Sequence, residues 1–369
     1  MKRIAFVINS IRPGGPSYVV RNIIKNLDPE EYKIFLITFF AESNDSVVNE
    51  QRNLGVTVIE CNYPGRLYAL TKGQKEFNKV IKDNQIQIIH SHGFIPDIMT
   101  ARIKYKDVTR ISTIHCNMYD DYLAWYGKYR SKIYIRMHQH HLKRFDSCAA
   151  VSQYVYHSLE SKLNNLILVR NGIGKTVIKE PVTRENLGIP QNAVVFIYAG
   201  HLRPLKNSVW MIESFKKYHK GNEYLVILGK GEDAEKCASL VDDHIFFKGF
   251  TDNPYAFMNI SDVYISASFA EGFSIAVLEA MDNGLALFLS DIPSHMEVFE
   301  ANETENVYLG ESFTSGNEES FNHCLEILRE NYGRIDKSKI MAFKKTEMSV
   351  ERMVEKYLEL YRGNNNAQS

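Results

Sequence analysis

Short, almost uninterrupted apolar runs alternate with helical stretches along the whole chain, and the alternation runs twice. The first set is Ile4–Ile8, Ile34–Phe40, Val56–Ile59, Ile86–Ile89, Ile111–Ile114 and Cys148–Val151. Between them lie segments of 3.6-residue period, such as Tyr18–Leu27 with Val19, Val20, Ile23, Ile24 and Leu27 on one face. Strands apolar on both faces and separated by helices predict a parallel sheet covered on both sides. The pattern restarts at Val194–Tyr198, Tyr224–Leu228, Ile245–Phe247, Val263–Ser266 and Leu285–Leu289. Lys175, Lys179, Pro181, Thr183, Gly188 and Pro190 interrupt any period around the join, Gly174–Asn192. The expectation is α/β, with two doubly wound domains over 1–174 and 175–350, their carboxyl-end crevices facing each other across a cleft. Residues 351–369 hold an amphipathic helix, Glu351–Tyr361, expected to pack back on the first domain, then a polar tail, Asn364–Ser369.

The chain has 369 residues, enough for about two domains. Lys plus Arg and Asp plus Glu are 44 each, so no global field draws the protein to nucleic acid. Five scattered cysteines, Cys61, Cys116, Cys148, Cys237 and Cys324, have no Cys-x-x-Cys spacing and predict reduced thiols rather than disulfides or zinc. The first strand begins within three residues without a signal-peptide core, and no uncharged apolar run reaches the ~18 residues of a membrane span. The expectation is a cytoplasmic protein, or one peripheral at the inner face of the membrane.

Two constellations can carry chemistry. Ala270-Glu271-Gly272-Phe273-Ser274-Ile275 follows a buried strand and opens an apolar helix, which would expose free backbone N–H groups to a phosphate. Ser274 is equally accounted for as the helix N-cap. Glu279 lies inside that helix, where a carboxylate needs either a neighbouring cation or a ligand such as the two hydroxyls of a ribose. Its eight-residue spacing from Glu271, about 12 Å along a helix, is too long for paired glycosidase carboxylates. Upstream, Gly200-His201-Leu202-Arg203-Pro204-Leu205-Lys206 joins a strand to a helix, Val209–Tyr218. Arg203 and Lys206 there are either ordinary surface charges or two cations for a diphosphate.

Together these segments resemble the retaining glycosyltransferases of the GT-B fold, two Rossmann-like domains, and family 4 in particular. That family shows Gly-x-Leu/Val-x-x-x-Lys, then Glu-Gly-Phe with a second Glu eight residues after the first. The resemblance spans nearly the whole chain: Gly14-Gly15, His90-Ser91-His92-Gly93, His115, Val151-Ser152, Asn171-Gly172, Gly229-Lys230-Gly231 and Gly249-Phe250 all match family segments. It implies transfer of a hexose from a nucleoside diphosphate sugar, a UDP-sugar favoured, to a hydroxyl of a glycan or lipid-linked acceptor in surface polysaccharide assembly. It assigns Arg203 and Lys206 to the diphosphate, Glu279 to the ribose, and Glu271 with Gly272, Phe273, Ser274 and Ile275 to the sugar and phosphate. It places His115 near the distal sugar hydroxyls, Gly14 and Gly15 by the phosphate, and Gly229 and Phe250 near the base. Glu271, Arg203, Lys206 and His115 are the expected catalytic set. Two departures touch none of these: Pro204 follows Arg203, and Asp282–Ala286 lacks the proline common after its glycine.

No cofactor and no metal is expected, since no Asp-x-Asp pair stands in a suitable position. His90 with His92, and His138 with His140 and His141, are histidine groups without a carboxylate cluster, the second on an exposed-looking helical segment. The stretch Tyr122–Phe145 interleaves Lys128, Arg130, Lys132, Arg136, Lys143 and Arg144 with Trp125, Tyr126, Tyr129, Ile133, Tyr134 and Ile135. It is either a helix packed on the first sheet with its charges in water, or a basic amphipathic helix at an anionic membrane. A dehydrogenase is disfavoured, because Gly-x-Gly-x-x-Gly is absent after the first strand. A nucleotide-sugar epimerase and a non-catalytic partner subunit are the remaining rivals.

Overall fold

The computed structural model describes residues 1–174, 178, 180–302 and 307–363, so the tail Asn364–Ser369 and Lys175 and Lys179 of the join lie outside the described residues. The chain forms two compact units, Ile173–Ser349 and a first unit in which Met1–Gly172 is joined by the chain's last segment from Val350.

The first unit is a seven-stranded sheet: β1 (Lys2–Ile8), β2 (Tyr32–Thr38), β3 (Thr57–Glu60), β4 (Ile88–His92), β5 (Thr109–Ile114), β6 (Ser147–Ala150) and β7 (Leu166–Leu168). Every pairing is parallel, in the order β3-β2-β1-β4-β5-β6-β7. The order reverses between β1 and β4, which opens a crevice at their carboxyl ends. Ile4, Ala5, Phe6 and Val7 are fully buried, as strands between two helical layers must be. Ala5, Val7, Phe35, Ile37, Phe77 and Ile89 anchor the core on one side of the sheet.

The last helix, Val350–Arg362, belongs to this unit and buries Met353, Val354, Tyr357, Leu360 and Tyr361. Two tyrosine hydroxyls tie it to the sheet: Tyr361 to His90 Nδ1 at 2.7 Å and Tyr357 to Thr113 Oγ1 at 2.8 Å.

The second unit repeats the plan with β8 (Val194–Ala199), β9 (Glu223–Leu228), β10 (Ile245–Gly249), β11 (Val263–Ser266), β12 (Ala286–Ser290) and β13 (Gly310–Phe313). All pairs are parallel, in the order β10-β9-β8-β11-β12-β13. Its reversal falls between β8 and β11. Both predicted sets of strands are present. The two strands absent from the prediction, β7 and β13, are sheet edges: β7 is three residues long and Gly310-Glu311-Ser312-Phe313 carries a single large apolar side chain. β7 is too short to stand out as a strand, and Glu311 with Ser312 break the apolar run of β13.

The basic segment forms one long helix, Met118–Leu142, kinked where Gly127 takes φ 71. The exposed-looking placement of its histidines holds for His140 but not for the other two. His138 and His141 are buried, and His138 Nε2 meets Asp97 Oδ2 at 2.8 Å. Asp97 also accepts from Ser91 Oγ at 2.5 Å, and Tyr122 OH reaches His138 Nδ1 at 2.7 Å, so a buried polar chain rivets the helix to β4. The period predicted a charged outer side, but the apolar residues are not all inward. Trp125, Tyr129 and Ile133 are 65%, 80% and 67% exposed among the basic residues.

Candidate functional site

The site in the second unit grows from the carboxyl ends of β8 and β11, the two strands flanking the reversal. After β8 the chain runs through Gly200, His201 and Leu202 to Arg203, and Pro204–Lys206 closes a 3-10 turn before the helix Ser208–Tyr218. Pro204 takes the first helical position, where its missing N–H costs nothing. Asn207 then takes φ 51, a left-handed turn that asparagine tolerates. Tyr198 OH donates to the His201 carbonyl at 3.0 Å and Tyr264 OH to the Ala199 carbonyl at 3.2 Å, so the sheet itself fixes the loop.

The neighbouring loop after β9 explains Gly229 and Gly231 by packing. Both have positive φ, 154 and 152, and a Cβ on either would lie 2.0–2.1 Å from the carbonyl oxygens of Gly200 and Leu202. Only glycine permits this approach, which also forms the Leu202 N–H to Lys230 carbonyl bond at 3.0 Å. Phe250, after Gly249, is 45% exposed, with Lys230 Nζ 4.1 Å from its ring centroid.

Lys206 and Glu271 come together as an ion pair, both side chains mostly buried. Ser268 Oγ donates to the same Glu271 oxygen at 3.0 Å. Burial pushes the Glu271 carboxyl up, but Lys206, then His295 and the hydrogen bonds, outweigh it and hold the group below its ordinary range. Glu271 is therefore ionised at neutral pH and Lys206 is held in place with its charge. Ser274 caps the helix Ile275–Asp282 by accepting from the Val277 N–H at 3.4 Å, so its structural reading holds.

Glu279 has the opposite environment. Its carboxyl makes no ion pair or hydrogen bond among the described residues, whereas Asp282, one turn on, is bound to Lys344 at 2.5 Å, which also donates to the Ile173 carbonyl at 3.2 Å. Burial, with the Asp282 charge adding to it, raises the Glu279 carboxyl to about 8. Among the described residues no salt bridge accounts for this half-buried acid.

His295 is a residue that the sequence pattern did not single out. It is fully buried after β12, and burial lowers it to about 4 despite the attraction of Glu271. Its Nδ1 donates to the Ser290 carbonyl at 3.0 Å; Ser290 Oγ donates to the Ser268 carbonyl at 2.7 Å, and Ser268 holds Glu271. A lone histidine in an apolar helix start carries no local signal. Only tertiary contact links it to the pair.

The remaining candidates, Gly14, Gly15 and His115, lie in the first unit. Gly14, φ 156, precedes the helix Gly15–Asn26, and a Cβ there would meet nothing within 4 Å. His115 follows β5, and its Nε2 lies 2.9 Å from His92 Nδ1. Burial depresses it to about 3, so it is neutral and no acid at physiological pH. No group of three or more metal-ligating side chains occurs among the described residues.

Comparison with known proteins follows this division of the chain. The family model for glycosyl transferases group 1 matches residues 179–341, and that for glycosyltransferase family 4 matches residues 13–174. The chain carries both glycosyltransferase domains. An O-antigen biosynthesis glycosyltransferase, WclY, of Escherichia coli is 29% identical over 316 residues, 81% of this chain and 82% of that protein. Among solved structures, Anabaena HepE in complex with UDP-glucose superposes with a TM-score of 0.79 at 17% identity, covering 98% of this chain and 100% of HepE. A glycosyltransferase from Rickettsia africae gives a TM-score of 0.77 at 17% identity over the full length of both chains. The two parallel-sheet domains are those of the GT-B glycosyltransferase fold. In this glycosyltransferase chain the group 1 domain holds Arg203, Lys206, Glu271 and Glu279, and the family 4 domain holds the glycine loop and the histidines.

Proposed function

We propose that the protein transfers a hexose from a nucleoside diphosphate sugar, with a UDP-sugar favoured, to a hydroxyl of a glycan or lipid-linked oligosaccharide, retaining the anomeric configuration. The observation that carries this reading is the contrast between two acids of one segment: Glu271, mostly buried and paired with Lys206, and Glu279, half-buried with no ion pair or hydrogen bond among the described residues. A carboxyl left without a donor among the described residues is suited to a ligand that brings two hydroxyls, as a ribose does. Lys206 with Arg203 supplies positive charge where a leaving diphosphate gains negative charge, and the helix beginning at Ile275 adds its dipole. Glu271, ionised and tethered by Ser268, keeps Lys206 aimed and takes hydroxyl donors of the sugar. Gly14 and Gly15 give the backbone room beside phosphate, and Gly229 and Phe250 shape the base region. With fixed cations the chemistry needs no divalent ion.

The UDP preference is supported by the UDP-glucose complex of HepE, and O-antigen-type assembly by the likeness to WclY. Contact with an anionic membrane is part of the same reading. Tyr129, Lys132, Ile133 and Arg136 recur at helical spacing on the outer side of Met118–Leu142, with Lys143 just past its end, which suits a lipid-linked acceptor. Incubation of Lys206→Ala with nucleotide sugars and a lipid-linked acceptor tests the assignment. Transfer should fall by about 100-fold or more in a protein that still folds, at a lowered melting temperature because Glu271 loses its partner; near-normal turnover removes Lys206 from the chemistry. An altered sugar nucleotide released without acceptor would replace the transferase reading by an epimerase.

A further inference from the structure

Three imidazoles cluster around the carboxyl ends of β4 and β5. His90 has both nitrogens occupied, Nδ1 by Tyr361 OH and Nε2 by Thr113 Oγ1, each at 2.7 Å. Its ring lies against that of His92 with centroids 4.2 Å apart, and Phe6 packs on both. His92 differs: Nδ1 meets His115 Nε2 at 2.9 Å, while its buried Nε2 has no partner among the described residues.

A bond between two neutral imidazoles needs one donor and one acceptor, so there are two arrangements. If His115 donates, His92 must carry its proton on Nε2, stranding an N–H in the interior. If His92 donates, only a bare lone pair is stranded. Orphaned buried donors are rarer and costlier than under-used acceptors. We infer that His92 is a positioning residue that donates its Nδ1–H to His115 Nε2 and fixes His115 in the Nδ1–H form, a hydrogen-bond donor toward a substrate oxygen. His115 is only part-buried, and its Nδ1 makes no hydrogen bond among the described residues. The ligand group that such a donor takes is an acceptor oxygen, a hydroxyl of the hexose, and this part rests on the transferase reading. His90, clamped by Tyr361 and by Thr113, which Tyr357 holds in turn, forms the wall that keeps His92 in its rotamer.

The test has a spectroscopic and a kinetic arm on the full chain. Long-range ¹H–¹⁵N correlation of histidine-labelled protein without ligand should show His115 protonated at Nδ1, its signals assigned by their loss in His115→Asn. Protonation of His115 at Nε2 overturns the proposal. His92→Phe should mix the two His115 forms and lower kcat by about tenfold with KM within about twofold. His92→Asn, which keeps an N–H near the Nδ1 position, should recover most of that loss. Equal kcat for His92→Phe and wild type, or no recovery in His92→Asn when both melt normally, also overturns it. Correct tautomers in a protein that transfers no sugar would leave this inference standing and remove the transferase reading alone.

Discussion

Glu279→Gln separates a ligand-binding acid from a structural one, because the two make opposite predictions about stability. The folded carboxyl titrates at about 8, against an ordinary value of 4.5. Below pH 4.5 the group is neutral in the folded and the unfolded chain and costs nothing by linkage. As pH rises from 4.5 to about 8 the unfolded chain ionises while the folded one stays protonated, so stability is lost progressively over that window. At about 1.4 kcal/mol per pH unit the full loss is on the order of 5 kcal/mol, and partial exposure of the side chain brings the expectation to about 2–3 kcal/mol. Glutamine has no proton to exchange. The stability difference between Glu279→Gln and wild type should therefore be near zero at pH 4.5–5 and grow to about 2–3 kcal/mol in favour of the variant by pH 8. Urea unfolding of both proteins across pH 5–9 reads this directly, since all other titrating groups cancel in the difference. The functional cost should run the other way. Binding of UDP to the wild type should release most of a proton at pH 7, seen by calorimetry in buffers of different ionisation enthalpy. The variant should release none and bind about 10–100-fold more weakly. A stability difference that is flat with pH, or that grows toward acid, would refute the reasoning, because it would mean that Glu279 is ionised and paired in the free protein.

Other outcomes follow from the same structure. Excess EDTA should leave transfer unchanged, since Lys206 and Arg203 supply the positive charge; loss of turnover restored by magnesium would contradict this. Sedimentation with vesicles of phosphatidylglycerol should capture the protein far more than neutral vesicles, and Trp125→Ser with Tyr129→Ser and Ile133→Ser should abolish capture without moving the melting temperature. Asp97→Ala should cost on the order of 3 kcal/mol in thermal unfolding, because it leaves the buried His138 Nε2 without its partner and takes from Ser91 Oγ its nearer acceptor; a change below about 1 kcal/mol would show that the rivet is not structural.

The sequence by itself determined the two parallel sheets, because strands buried on both faces must be continuously apolar and so write themselves into the local pattern, as in Ile4–Ile8 and Val263–Ser266. It also marked the loops of the site, since Gly229, Gly231 and the Arg203–Lys206 turn carry residue types that their backbone geometry requires. It did not determine what the charged groups meet. Glu271 and Glu279 look alike in sequence, yet one lies against Lys206 and is ionised while the other meets no cation among the described residues and is held protonated by burial and the Asp282 charge. His138, His92 and His295 were equally silent, their partners Asp97, His115 and Ser290 being set by strand register and helix docking. Apolar period is a local property of the chain, whereas the charge state of a buried group depends on neighbours that only the folded sheet brings within hydrogen-bond distance.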